Sequence, residues 1–410
     1  MNTAIFKHSI IKFFNYLIIL SIISFLSHND DKNNLSTYFY IYNLINLSVI
    51  FINYGFSHSS QDLIPKIFYN KSTNDLNSVL ITHLNIIIIN SFLFIFVYLS
   101  LTKNFYLSFI LFFCLVIFSI VFFLSDTLRA LNKPYIGQIA IYNILVLFNL
   151  LLIILFNKYL KLSDLTFVLV FIISSFISLI FLINTFLKKN LLIKFELLNL
   201  KKIIKYYKKN FFNTFNSFSH ILITYIFTIV LYYEGTSNDV INYNLAFLFA
   251  SFIGLPLFFL NINFARQLSL LVDKKDDISI QKFAKKMAFK SSNLSIILFI
   301  ITYITLSIFS DLIFNNNFDN YKAIFIIISI AILINSIFGP NQIYLIVKSK
   351  SKLLSLINLT VLSILCFIFL FFFQFSAINC SLFFLSYQIS INLIIFITIY
   401  KRYKISIFYF

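Results

Sequence analysis

Lysines and arginines in this chain are sorted onto alternate gaps in a ladder of long apolar runs. With the N-terminus on the cytoplasmic side, 27 of the 32 basic residues fall on that side, and only Lys32, Lys103, Lys158, Lys161 and Lys322 fall on the other. A soluble domain has no reason to sort charge in this way. A chain threaded through a bilayer does, because short basic loops stay on the cytoplasmic face. The pattern restricts the chain to structures that satisfy every backbone amide inside lipid, which are helices or closed barrels. The runs are continuous and not ten-residue segments of alternating polarity, so the barrel is excluded.

The runs predict spans at 11–27, 37–57, 79–101, 105–128, 135–157, 164–187, 212–233, 240–264, 288–310, 322–347, 353–374 and 378–400. That gives an all-α, multi-pass protein of the bacterial plasma (inner) membrane with both termini cytoplasmic. Composition agrees: charged residues are 11% of the chain and mean hydropathy is +0.92, against about 25% charged in a soluble domain. The net charge of +18 is divided among short loops at membrane boundaries. It therefore reads as anchoring to anionic lipid and not as a nucleic-acid surface. Lys7 stands before the first run and Lys12 at its start, and no small-residue cleavage site stands near Ser27, so that run is expected to be retained.

Span six is followed by the basic stretch Lys188–Asn210, which divides the chain into an N-terminal six-helix bundle (1–187), a cytoplasmic interfacial linker (188–211) and a C-terminal six-helix bundle (212–410). Within the linker Ile193, Leu197, Leu200, Ile204 and Tyr207 recur at helical spacing beside Lys194, Lys201, Lys205 and Lys208, the pattern of a helix lying on the inner leaflet. Glycine and proline are scarce, so their places matter. Gly254 and Pro256 fall inside span eight, and Gly339 and Pro340 inside span ten, where they are expected to kink the helices and serve as gates.

Ionisable groups inside a bilayer are costly and mark function. The basic set is Arg266 at the inner end of span eight, His220 within span seven, His83 in span three, Lys66 after span two and Arg129 at the inner end of span four. Lys66 and Arg129 have acids nearby in Asp62 and Asp126. No carboxylate stands in mid-span, which argues against a carrier of cations or protons. Guanidinium and imidazole groups suit a phosphate, and the many Asn, Ser and Tyr side chains suit carbohydrate. Cys114, Cys366 and Cys380 lack metal or disulfide spacing. No P-loop, H-E-x-x-H or paired-carboxylate motif is present. The expectation is a transporter with no cofactor, no metal and no catalytic set.

The segment Asn53-Tyr54-Gly55-Phe56-Ser57-His58-Ser59-Ser60-Gln61-Asp62-Leu63-Ile64, with Asn74-Asp75-Leu76-Asn77 after it, resembles the Tyr-Gly-Phe-x-x-Ser stretch of bacterial polysaccharide flippases. Asp239-Val240-Ile241-Asn242-Tyr243-Asn244-Leu245-Ala246 is similar to that family's Val-x-x-Tyr-Asn-x-Ala sequence at the start of span eight. Leu128–Pro134 through Gln138 is a looser third match. Where the family places a base near Gln61, this chain has its nearest at Lys66. The resemblance implies the multidrug/oligosaccharidyl-lipid/polysaccharide exporter superfamily, with two six-helix bundles facing a central cavity and working by alternating access. It implies a polyprenyl-pyrophosphate-linked glycan as substrate, for O-antigen or capsule, and a glycan polymerase and chain-length regulator as partners. The alternatives are a drug or lipid exporter of the same superfamily, or a membrane O-antigen polymerase or ligase. The short outward loops, which hold more acids than bases, disfavour the enzyme.

Overall fold

Helix occupies the greater part of each expected span in the computed structural model, which describes residues 2–28, 32–56, 60, 64, 73–131, 134–188, 200–260, 268, 271, 277–348 and 350–403. In chain order the helices are α1 (Asn2–His28), α2 (Lys32–Ile52), α3 (Thr73–Thr102), α4 (Phe105–Ala130), α5 (Pro134–Gln138), α6 (Leu145–Tyr159), α7 (Asp164–Leu187), α8 (Leu200–Glu234), α9 (Ser237–Ile253), α10 (Asp277–Phe314), α11 (Lys322–Phe338), α12 (Asn341–Val347), α13 (Ser351–Phe372) and α14 (Ala377–Tyr403). A π-helical turn, Ile139–Ile144, joins α5 to α6 in one span. Nine of the described helices are long and apolar enough to cross a membrane. Span seven is the second half of α8, whose first half is basic and polar. Spans eight and ten are each interrupted, at Gly254 and at Gly339–Pro340.

The helices form two compact units, residues Met1–Phe218 and Ser219–Phe410. In the first, α4 is central, packed on α3, α5 and α7. Its Leu111, Cys114, Leu115, Phe118 and Val121 are fully enclosed, and Cys114 is a packing residue among them. In the second, α11 is central between α9 and α14 and buries Ile324, Phe325, Ile328 and Ala331. Polar side chains cross-link helices inside each unit, as expected where lipid offers no competing water. Ser174 donates to Asn149 in the first unit. In the second, Ser295 Oγ donates to Ser336 Oγ at 3.2 Å. Large apolar side chains stand exposed along α3 (Phe92, Phe96), α10 (Ile304, Ile308, Leu312) and α13 (Phe371, Phe372), the surface a lipid-facing helix presents.

Helix starts on the expected outward side are built by side-chain caps. Asn104 Oδ1 accepts from Leu107 N at 3.0 Å. Ser163 with Thr166, and Thr236 with Asp239, each form a reciprocal capping box. The basic linker differs from its expected form. Residues 200–211 are not a separate interfacial helix but the first turns of α8, which runs unbroken to Glu234. Residues 189–199 lie outside the described residues.

Candidate functional site

The Asn53–Phe56 motif lies where α2 ends. Tyr54 and Gly55 both adopt positive φ, +41° and +68°, so the chain leaves the helix abruptly. Only glycine fits the second position: an added Cβ would stand 2.7 Å from Thr214 Oγ1 and 3.0 Å from Thr214 N, in a backbone region that side chains disfavour. The break is held from two sides. From α3, Asn90 Nδ2 donates to Ile52 O at 3.0 Å, one of the carbonyls left open by the helix end. His83 Nε2 lies 3.3 Å from Asn53 Oδ1, and Asn53 Nδ2 donates to Val49 O at 3.1 Å. From α8, Tyr207 OH donates to Asn90 Oδ1 at 2.7 Å, and its ring meets the Tyr54 ring edge-on at 4.5 Å. Burial, with Tyr54 beside it, pushes the Tyr207 hydroxyl up to about 12, so at neutral pH it is a donor.

His83 is wholly buried. Its ring stacks on Phe56 with centroids 4.1 Å apart and touches Phe123 at 5.0 Å and Tyr206 at 5.6 Å. The environment is that of a packing side chain that locks Phe56, the last residue of the Tyr-Gly-Phe triplet. Arg129 pairs with Asp126 one turn earlier, at 3.5 Å on α4. His220 falls within α8. Lys66 and Arg266 lie outside the described residues, as do Gln61 and Asp62. No cluster of three or more metal-ligating side chains exists among the described residues.

The second motif ties the ends of three helices. Asp239 Oδ2 accepts from Thr236 N at 3.2 Å and Thr236 Oγ1 at 2.6 Å, while its Oδ1 accepts from Ala377 N, the start of α14, at 3.3 Å. Asn316 Nδ2 donates to Asn242 Oδ1 at 3.0 Å, and Thr228 Oγ1 donates to Asn244 Oδ1 at 3.1 Å. These residues fix α9 against α8, the loop after α10 and α14. Gly254 closes α9 in an ordinary right-handed conformation, and helix resumes over 255–260. At Gly339 the break is sharper: φ is +66° and an added Cβ would lie 2.8 Å from Ala288 Cβ on α10.

The sequence places Lys12 among the loop anchors. In the structure it lies in α1 with Nζ 4.4 Å from the centroid of the Tyr142 ring, in the π-turn. Its place near the N-terminus groups it with the cytoplasmic bases, which hides this role. Its spacing to Tyr16, one helical turn on, was the available signal.

No protein-family model matches the chain, and no curated protein matches it. Solved structures do. An inward-facing multidrug resistance MATE family transporter of the MOP superfamily matches with a TM-score of 0.72 at 10% identity, covering 95% of this chain and 94% of that one. The lipid II flippase MurJ, inward closed, matches with a TM-score of 0.70 at 13% identity, over 95% of this chain and 87% of MurJ. A mutant of the Vibrio cholerae MATE transporter VcmN gives 0.66 at 13% identity, over 98% of this chain and 96% of that one. At such identities the likeness is one of fold: the chain is an all-α, multi-pass membrane protein with the fold shared by MATE transporters and MurJ.

Proposed function

We propose that this chain is a flippase that carries an undecaprenyl-pyrophosphate-linked oligosaccharide from the inner to the outer leaflet of the bacterial plasma membrane by alternating access, for O-antigen or capsule synthesis. The observation that carries the reading is the coincidence of motif and fold. The Tyr-Gly-Phe stretch that resembles polysaccharide flippases stands at a clamped break in α2, in a fold shared with a lipid II flippase. The transport step changes no covalent bond. Polar side chains replace water around the glycan, while the polyprenyl tail stays in lipid. Arg266, Lys66 and His220 are the proposed partners of the pyrophosphate. Arg129, tied to Asp126, and His83, enclosed by aromatic rings, serve the scaffold. Gly254–Pro256 and Gly339–Pro340 are the proposed gates. A glycan polymerase and a chain-length regulator are the proposed partners, and both termini are proposed to be cytoplasmic.

Fold alone equally suits a drug exporter. The absence of a mid-span carboxylate favours an anionic cargo over a cationic one. The test is deletion in the source bacterium: surface polysaccharide should vanish and lipid-linked repeat units accumulate, with complementation restoring both. Unchanged surface glycan together with new drug sensitivity would overturn the reading.

A further inference from the structure

We propose that the first half of α8, residues 200–218, is a latch that grips the broken end of α2 and lets go once in each transport cycle; this rests on the alternating access proposed above and not on the identity of the cargo. The helix serves two bodies. Residues up to Phe218 belong to the first unit and residues from Ser219 to the second, yet α8 runs unbroken from Leu200 to Glu234. It contains neither glycine nor proline, so it has no built-in kink. When rigid bundles move during transport, a stiff helix held at both ends must release one of them.

The inner end is the weaker. The outer half is anchored by apolar burial: Ile223, Phe227 and Leu231 are enclosed, and the Phe227 ring meets Tyr243 at 6.2 Å and Phe383 at 5.1 Å. In the inner half, burial among the described side chains narrows to one line, Ile203, Asn210 and Thr214, while Lys201, Lys205 and Lys208 stand exposed. The tips of side chains supply the grip. Tyr207 OH donates to Asn90 Oδ1 at 2.7 Å, and ring contacts join Tyr207 to Tyr54 at 4.5 Å, Tyr206 to His83 at 5.6 Å and Phe218 to Phe51 at 5.9 Å. This grip leaves two buried nitrogens without partners. One is Asn210 Nδ2, on the buried line. The other is His83 Nδ1: Asn53 Oδ1 can only accept, so the 3.3 Å contact uses the Nε2 proton and leaves Nδ1 a bare acceptor. An unpaired buried polar group costs free energy that water restores on opening. A leucine at position 210 would remove that cost. Asparagine there keeps the docked state shallow, as a latch requires.

The test reads opening and its place in the cycle separately. For opening, the purified full-length chain with Cys366 and Cys380 replaced and Thr214→Cys added is treated with a thiol reagent in detergent. Cys114, fully enclosed in α4, is the internal control. Thr214→Cys should react while Cys114 does not, about three- to fivefold faster when Tyr207→Phe is added and more slowly when Asn210→Leu is added. Equal rates at both cysteines, reaction at neither, or a rate unmoved by Asn210→Leu overturns the latch. For the cycle, Phe51→Cys and Phe218→Cys in a chain without native cysteines are bridged by a short, reducible bifunctional thiol reagent, and exposure of lipid-linked glycan is followed in proteoliposomes. The bridge should stop exposure and reduction should restore it. A bridged chain that works at the unbridged rate overturns the latch. Thr214→Cys labelling with the expected responses, by a chain that moves no glycan bridged or unbridged, would refute the flippase and keep the latch.

Discussion

Tyr207 and Asn90, 117 positions apart, are joined by a 2.7 Å hydrogen bond in which the tyrosine hydroxyl donates to the amide oxygen. Because the Asn90 amide nitrogen caps the Ile52 carbonyl, this one pair connects the basic first turns of α8 to the broken end of α2. Tyr207→Phe removes only the donor and is expected to lower stability by about 0.6–1 kcal/mol. Asn90→Leu also uncaps Ile52 O and should cost roughly twice that. Thermal unfolding in detergent checks the order. Equal, negligible shifts for both variants would mean that the pair does not hold the break.

Gly55→Ala should be far more harmful than Gly254→Ala. The first places a Cβ 3.0 Å from a backbone nitrogen at φ +68°, a conformation costing a non-glycine residue about 1–2 kcal/mol before any clash. The second meets only Ile332 Cγ2 at 3.3 Å and Ser251 O at 3.4 Å, with ordinary φ. Trimming Thr214 to alanine should not rescue Gly55→Ala, because the Thr214 backbone is itself within 3.2 Å of the new Cβ. Membrane-inserted protein yield reads this directly, and full rescue would show that the side chain alone is the obstacle.

Asp239 does two jobs, so Asp239→Ala should destabilise more than Thr236→Ala. Both open the capping box, at about 1 kcal/mol. Only the first also frees Ala377 N at the start of α14. Matching melting temperatures for the two variants would remove the cross-helix role.

In a background lacking Cys114, Cys366 and Cys380, an impermeant thiol reagent added to intact cells should label a cysteine placed at Ser237 and spare one placed at Asn199. The reverse labelling would invert the topology drawn from the distribution of basic residues.

Much of the fold was legible in the sequence because bilayer thickness sets the length of an apolar run and leaves helix as its one solution. The breaks at Gly254 and Gly339–Pro340 were legible from the rarity of glycine and proline. The direction a polar side chain takes was not. His83 has the sequence position of a site residue and is packed against Phe56 and Phe123, which also touch each other. Lys12 has the position of an anchor and meets Tyr142. Periodicity fixes a helix, but which face meets a neighbour depends on partners distant in sequence. The π-turn at Ile139–Ile144, which leaves no mark in composition, could not be read at all. The continuity of α8 was hidden because its lysine-rich first turns resemble a linker.

Transport itself is the central claim, and proteoliposomes test it most directly. The purified chain is reconstituted with native lipid-linked repeat units confined to one leaflet, and an impermeant glycosidase on the other side reports arrival. The account predicts that the wild-type chain exposes the glycan well above the rate of protein-free vesicles and that Arg266→Ala abolishes the gain at equal protein incorporation. Exposure no faster than in protein-free vesicles would contradict it.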